Sequence, residues 1–198
     1  MRPMAENPLQ QNVLKPIPTV ELVMHALSVG DLNDLCDSTE EAIKAGGGFG
    51  WISLPNRDLL ERFWNGVLVM PARMLFVARL DGVICGSAQL IKPPKNNEAQ
   101  AFAVQLTGLF IAPWARGQGL SRRLLDFVEK TALKEGFKVI NLDVRETQDA
   151  AINLYESAGY TCIGKHPAYA RVGEDIIAGR YYTKPIDPEL AHKLGPTA

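Results

Sequence analysis

Cysteine is scarce and scattered: Cys36, Cys85 and Cys162 stand far apart, are odd in number and include no CxxC pair. Neither a disulfide framework nor a thiolate metal site is expected, and buried reduced thiols are the simpler reading. Histidine is equally thin, since His25, His166 and His192 share no ligand spacing, and no metal is expected. Positive charge is not in excess, with Lys plus Arg at 21 against Asp plus Glu at 22. That balance leaves no basic field to hold a polyanionic duplex, so nucleic acid is not an expected partner. No apolar run approaches the roughly 20 residues that span a bilayer. The opening stretch, broken by Pro3, Pro8, Pro16 and Pro18, lacks the basic-then-apolar order of a secretory signal. These absences point to a soluble, cytoplasmic protein with no membrane partner. Two phosphate-binding signatures are missing as well: no Lys-Ser/Thr follows a GxxxxG, and no full GxGxxG follows a strand.

What is present is apolar material for one core. The chain has 198 residues, 46% of them hydrophobic, which suits a single α/β domain and is short for two. Residues 1–19, rich in Pro, Asn and Gln and without period, read as a lead-in outside the fold. Residues 20–186 read as the domain and 187–198 as a polar tail. An opening strand is expected over 20–27, then a helix over 31–45 with Leu32, Leu35, Cys36 and Ile43 on one side, stopped by Gly46, Gly47 and Gly48. Asn56 caps a second helix in which Leu59, Leu60, Phe63, Trp64 and Val67 recur at helical spacing, a stripe that suits a core better than a site. Between the two helices, Gly48-Phe49-Gly50-Trp51 reads either as a substrate lid or as a buried turn anchor. Residues 74–80 and 83–91, joined by Asp81-Gly82, form a hairpin. The run 101–111 is long for one strand, and Gly108 within it hints at a bulge. A helix over 119–135, a strand over 139–144, a short helix capped by Asp149, and strands near 160–164 and 176–183 complete the pattern.

The stretch from Leu109 through Phe110 and Ile111 to Leu125 is the most informative. A strand feeds a glycine-bearing turn that opens directly into an amphipathic helix. Glycines remove the side chains that would hold a phosphate away from backbone N–H groups, and the helix start adds unpaired donors and partial positive charge. The turn from Arg116 through Gly117, Gln118, Gly119 and Leu120 to Ser121, with Arg122 just beyond, therefore reads as a diphosphate cradle.

Arg116-x-x-Gly119-x-Ser121 resembles the Q/R-x-x-G-x-G/A coenzyme A signature of the GNAT superfamily of N-acetyltransferases, with Ser121 where Gly or Ala is usual. A second element follows in the proper order: Leu142-Asp143-Val144, then Ala150-Ala151-Ile152-Asn153-Leu154-Tyr155 and on to Gly159-Tyr160, similar to the family's strand and its A-x-x-L-Y-x-x-x-G-F/Y. The resemblance spans about residues 75–182. It implies an α/β (α+β) fold with a mixed, strongly twisted sheet of six or seven strands flanked by four helices, splayed between the strands ending near Ile111 and Val144. Acetyl-CoA is the implied cosubstrate. Its pantetheine would lie in the splay against the backbone of Leu109, Phe110 and Ile111, with Gln148 and Asn153 alongside. A homodimer is the implied assembly.

The same resemblance gives roles to the proton-handling groups. Tyr155 matches the hydroxyl that protonates the leaving thiolate, against a reading as a core tyrosine. Asp143, a carboxylate in an otherwise apolar strand, is costly there unless paired or useful. It either takes the amine proton, directly or through water, or is a structural acceptor. Gln105 stands near the place where some members carry a basic Glu; an amide cannot take a proton, so it is expected to orient the acceptor. Phe49, Trp51, Trp64 and Tyr169 make a set similar to the tabtoxin-resistance-like acetyltransferases and are expected at the acceptor. The leading reading is acetyl transfer to the primary amine of a small toxin, antibiotic or amino-acid-like metabolite. Acetylation of a protein N-terminus or lysine is the alternative, and an acyl-CoA-binding regulator without turnover is a third.

Overall fold

The computed structural model describes residues 15–47, 50–51 and 53–195. In chain order the elements are β1 (Pro18–Leu22), α1 (Val29–Lys44), α2 (Arg57–Val69), β2 (Arg73–Leu80), β3 (Val83–Ile91), β4 (Ala103–Ile111), α3 (Leu120–Lys134), β5 (Val139–Arg145), α4 (Asp149–Ser157), β6 (Thr161–Val172), β7 (Asp175–Pro185) and α5 (Pro188–Leu194). Local chemistry explains most of the boundaries. The Ser28 hydroxyl accepts from the Asp31 N–H and starts α1 two residues before the expected Asp31. Asn56 caps α2 through the Leu59 N–H. Asp81 and Gly82 both take positive φ, 52° and 87°, as a two-residue hairpin requires.

The seven strands described form one sheet in the order β1-β2-β3-β4-β5-β7-β6. Neighbours are antiparallel except β4 and β5, which run parallel and pair only from Ala103 with Val139 to Leu106 with Leu142. Beyond Leu106 the two strands part, and the expected splay is present. The bulge foreseen at Gly108 is also there: Thr107 faces Gln89 and Phe110 faces Ser87, so Gly108 and Leu109 together oppose Ala88.

Two apolar clusters sandwich the sheet. On one face α3 packs Leu120, Leu124, Leu125 and Val128 against Phe76, Leu106, Ile140 and Leu142. On the other, α1 and α2 pack Leu35, Leu60, Trp64 and Val67 against Leu75, Val77 and Ile84. These helices cover β2 and β3, while the same face of β5 and β7 carries polar groups: Asn141, Asp143, Tyr181 and Thr183.

Several expectations are corrected. The first strand ends at Leu22, not near 27, and begins inside the region read as lead-in, with the Ile17 N–H on Asp81 Oδ1 at 2.9 Å. The strand expected near 160–164 runs on to Val172 as half of a long hairpin with β7. Five α-helices are described, in keeping with the about four expected. The fifth lies in the presumed tail, capped by Asp187 on the Leu190 N–H with Pro188 at its first position. No described helix is long and apolar enough to cross a membrane.

Candidate active site

The turn ahead of α3 is built as the sequence implies. Gly117 and Gly119 take φ of 79° and 70°, a region costly for residues with a Cβ. Gly119 occupies the cap position and offers no side chain to cap the helix. The helix's own bonds begin with the Arg123 N–H on the Gly119 carbonyl at 3.1 Å, so the amides of Leu120, Ser121 and Arg122 are orphan donors. A cavity of about 60 Å³ lies against them, lined by Gly117, Gly119 and Ser121. The Arg116 Nε donates to the Ile111 carbonyl at 3.3 Å, tying the turn to the end of β4. Arg122 spans Asp126 and the Ser157 carbonyl, joining α3 to α4. Gln118 is exposed at the tip of the turn.

From this turn a cleft of about 370 Å³ runs down the splay, lined by Leu109, Phe110, Ile111, Arg116, Ser121 and Gln148 among others. Gln148 donates to the Gly46 carbonyl at 2.8 Å, linking the start of α4 to the end of α1 across the cleft. Asn153 does not reach it: the residue is exposed on α4 and borders neither this cleft nor its neighbour. The helical phase that turns Tyr155 inward turns Asn153 out.

A second cavity, about 360 Å³, shares Gly108, Leu109, Gln148 and Ala151 with the first and holds Asp143, Tyr155 and Tyr169. Asp143 is not buried in the strand. Alternation puts it on the open face, exposed, where it accepts from Gln105 Nε2 at 2.8 Å and from the Tyr169 hydroxyl. Gln105 thus holds Asp143. Tyr155 is 6% exposed, packed edgewise on Tyr160 with ring centroids 5.6 Å apart. Burial first, and the nearby Asp143 charge second, push its phenol well above the ordinary tyrosine value. Among the described residues its hydroxyl has no hydrogen-bond partner, and it keeps its proton facing the cavity.

The acceptor-side aromatics divide. Trp64 is wholly buried, its indole N–H on Thr39 Oγ1 at 3.2 Å; the helical stripe that carries it is core, and its place at the acceptor is withdrawn. Trp51 meets Phe63 edgewise at 5.0 Å and borders neither cavity. Phe49 lies outside the described residues. Tyr169 alone of the set reaches the site. Two residues were missed. Arg145 lines the second cavity, and strand periodicity through Asp143 was the available signal. Gly179, paired with Arg145 on β7, lies beneath the Tyr169 ring, a contact no local pattern reveals.

A strand that splays from its parallel neighbour, a bare helix start and two joined cavities meet at one place in the fold. A model of the acetyltransferase (GNAT) family matches residues 37–160, more than half of the chain, and the chain belongs to that family. It is 62% identical over 130 residues to an uncharacterised N-acetyltransferase in the hisH-hisA intergenic region of Azospirillum brasilense, covering 66% of this chain and 77% of that one. It is 32% identical over 122 residues to the N-alpha-acetyltransferase RimI of Mycobacterium tuberculosis, covering 59% and 71%. Among solved structures, yncA of Salmonella typhimurium with its cofactor acetyl-CoA superposes with a TM-score of 0.70 at 17% identity, over 88% of this chain and 96% of that one.

Proposed function

We propose that this N-acetyltransferase moves the acetyl group of acetyl-CoA onto the primary amine of a small molecule, by direct attack in a ternary complex. The observation that carries the reading is that Asp143, from β5, and Tyr155, from α4, face one cavity that opens into the cleft leading from the bare start of α3.

The residues suit the proton traffic. The coenzyme supplies the acyl thioester. The amides of Leu120, Ser121 and Arg122 are free to meet its pyrophosphate, and the bulged backbone at Gly108 and Leu109 borders the cleft where the pantetheine arm would run. The acceptor must attack as a neutral amine. Asp143 takes its proton, held in position by Gln105 and Tyr169. As the amine nitrogen bonds to the thioester carbon and the carbon–sulfur bond breaks, the Tyr155 hydroxyl gives its proton to the departing sulfur, and the surplus proton on the new amide nitrogen passes to solvent. Asp143 leaves the cycle protonated and Tyr155 deprotonated, and exchange with solvent restores both.

The cavity beside Asp143 is of a size for a metabolite, toxin or antibiotic. A second reading, acetylation of a protein N-terminus, draws support from the identity to RimI and from the uncovered polar face of β5 and β7. Thiol release from acetyl-CoA, measured against a panel of small amines and short peptides with free N-termini, tests both. Turnover of small amines is the expected result. Turnover of peptides alone would favour the second reading, and no turnover with any amine would defeat both.

A further inference from the structure

Arg145 ends β5 two residues after Asp143, and strand alternation sets both side chains on one face. It lines the second cavity with Asp143, Tyr155 and Tyr169 and is half-buried. The other comparably enclosed arginines have acceptors: Arg57 meets Asp37 and Glu61, Arg79 meets Glu21 and Asp31, Arg180 meets Glu146, and Arg73 donates to the Gln89 side-chain oxygen. Among the described residues Arg145 has no carboxylate and no hydrogen-bond acceptor. The reason is visible in its neighbours. Asp143 is engaged by Gln105 and Tyr169, and Glu146, next along the strand, is taken by Lys165 and Arg180.

A guanidinium drawn partly out of water without a counter-charge is costly, and its planar fork matches a carboxylate or phosphonate through paired hydrogen bonds. The coenzyme cleft and the cavity at the α3 start do not include Arg145, which leaves the acceptor side as the place for an anion. We propose that the acceptor is amphoteric, a small primary amine that also carries an oxyanion held by Arg145 while its nitrogen faces Asp143. This rests on the transferase reading of the same cavity. Alternate residues of a strand lie roughly 6.5–7 Å apart, so amine and oxyanion separated by several bonds fit better than groups on one carbon.

The test is kcat/KM by thiol release with β-alanine, 4-aminobutyrate and 5-aminopentanoate, each beside its own carboxamide and the aminoalkylphosphonate of equal length. At least one acid is expected to exceed its carboxamide by about tenfold or more, the order of a charged hydrogen-bonded pair. Arg145→Gln should bring that ratio close to unity through KM, and Arg145→Lys should restore part of it. Preference for the phosphonate over the carboxylate would identify the oxyanion as the phosphorus acid, and the reverse as the carboxylic acid. Acids no better than their carboxamides, whether all are used or none, or a preference that survives Arg145→Gln, would overturn the proposal. Calorimetry with acetyl-CoA separates the two levels: coenzyme bound with no acid preference removes only the Arg145 subsite, whereas no coenzyme bound removes the transferase reading with it.

Discussion

The ring of Tyr169 lies over Gly179, where a Cβ would stand 2.2 Å from the ring's Cγ. A side chain at Gly179 and the ring at its present height exclude each other. The glycine lets Tyr169 lie flat enough on β7 for its hydroxyl to meet Asp143. Gly179→Ala should therefore displace the ring and reproduce the catalytic loss of Tyr169→Phe. Because both changes sever one contact, the double variant should be no worse than either single one. Steady-state kinetics on the three variants checks this, and simple additivity would break the link.

Tyr155 keeps its proton to higher pH than an ordinary tyrosine, whose value is 10.0, because burial and the Asp143 charge both disfavour the phenolate. The protonated form is the acid the reaction needs, so a raised pKa extends the active range upward. The kcat profile should show no loss from this group as pH passes 10.0. Tyr155→Phe should lower kcat by about 100-fold or more with acetyl-CoA affinity in calorimetry retained.

Gly119 is open to a Cβ sterically, with nothing within 4 Å, but its φ is +70°. Gly119→Val would cost about 1–2 kcal/mol in backbone strain alone and project a branched side chain beside the bare amides of α3. The expected outcome is acetyl-CoA affinity lost in calorimetry while circular dichroism retains the native spectrum. Undiminished affinity would remove the turn from the coenzyme site.

The thiols should separate by reactivity. Burial pushes Cys36 and Cys85 up to about 11, and both are enclosed, whereas Cys162 is exposed on β6. A colourless-to-yellow disulfide reagent at pH 8 should titrate one thiol rapidly in the native protein and the other two only in denaturant. Cys162→Ser should abolish the rapid phase.

The parts of this molecule that could be read in the chain are those set by neighbours in sequence. Asp81-Gly82 dictates its hairpin, Asn56 its helix start, and Gly117 and Gly119 their turn, because each demands a backbone geometry few other residues accept. The α5 signal was local too, since Asp187-Pro188 is a cap followed by a first-turn proline, but the polar composition around it pointed to a tail. What escaped was set across strands. Whether Trp64 faced a cavity depended on which side of α2 met β2, and Trp51, ahead of that helix, followed its packing on Phe63. Asn153 and Tyr155 both belong to a legible motif, yet only the packing of α4 decides which turns inward. Gly179 matters only because a residue on β6 leans over it, and Arg145 only because the nearest carboxylates are already engaged.

The extra residue in β4 has a reach beyond the cleft it borders. Counting by twos from Thr107, Leu109 and Ile111 would share its side of the sheet; with Gly108 and Leu109 together opposite Ala88, that side belongs instead to Phe110, which joins the α1 and α2 cluster, while Ile111 joins that of α3. Straightening the bulge with every residue kept would make Phe110 and Ile111 trade sides, putting each large side chain into a space shaped for the other. The sheet cannot be ironed flat at this point without turning both interiors inside out, so the gap beside β4 is anchored as firmly as the packing that holds the whole domain together.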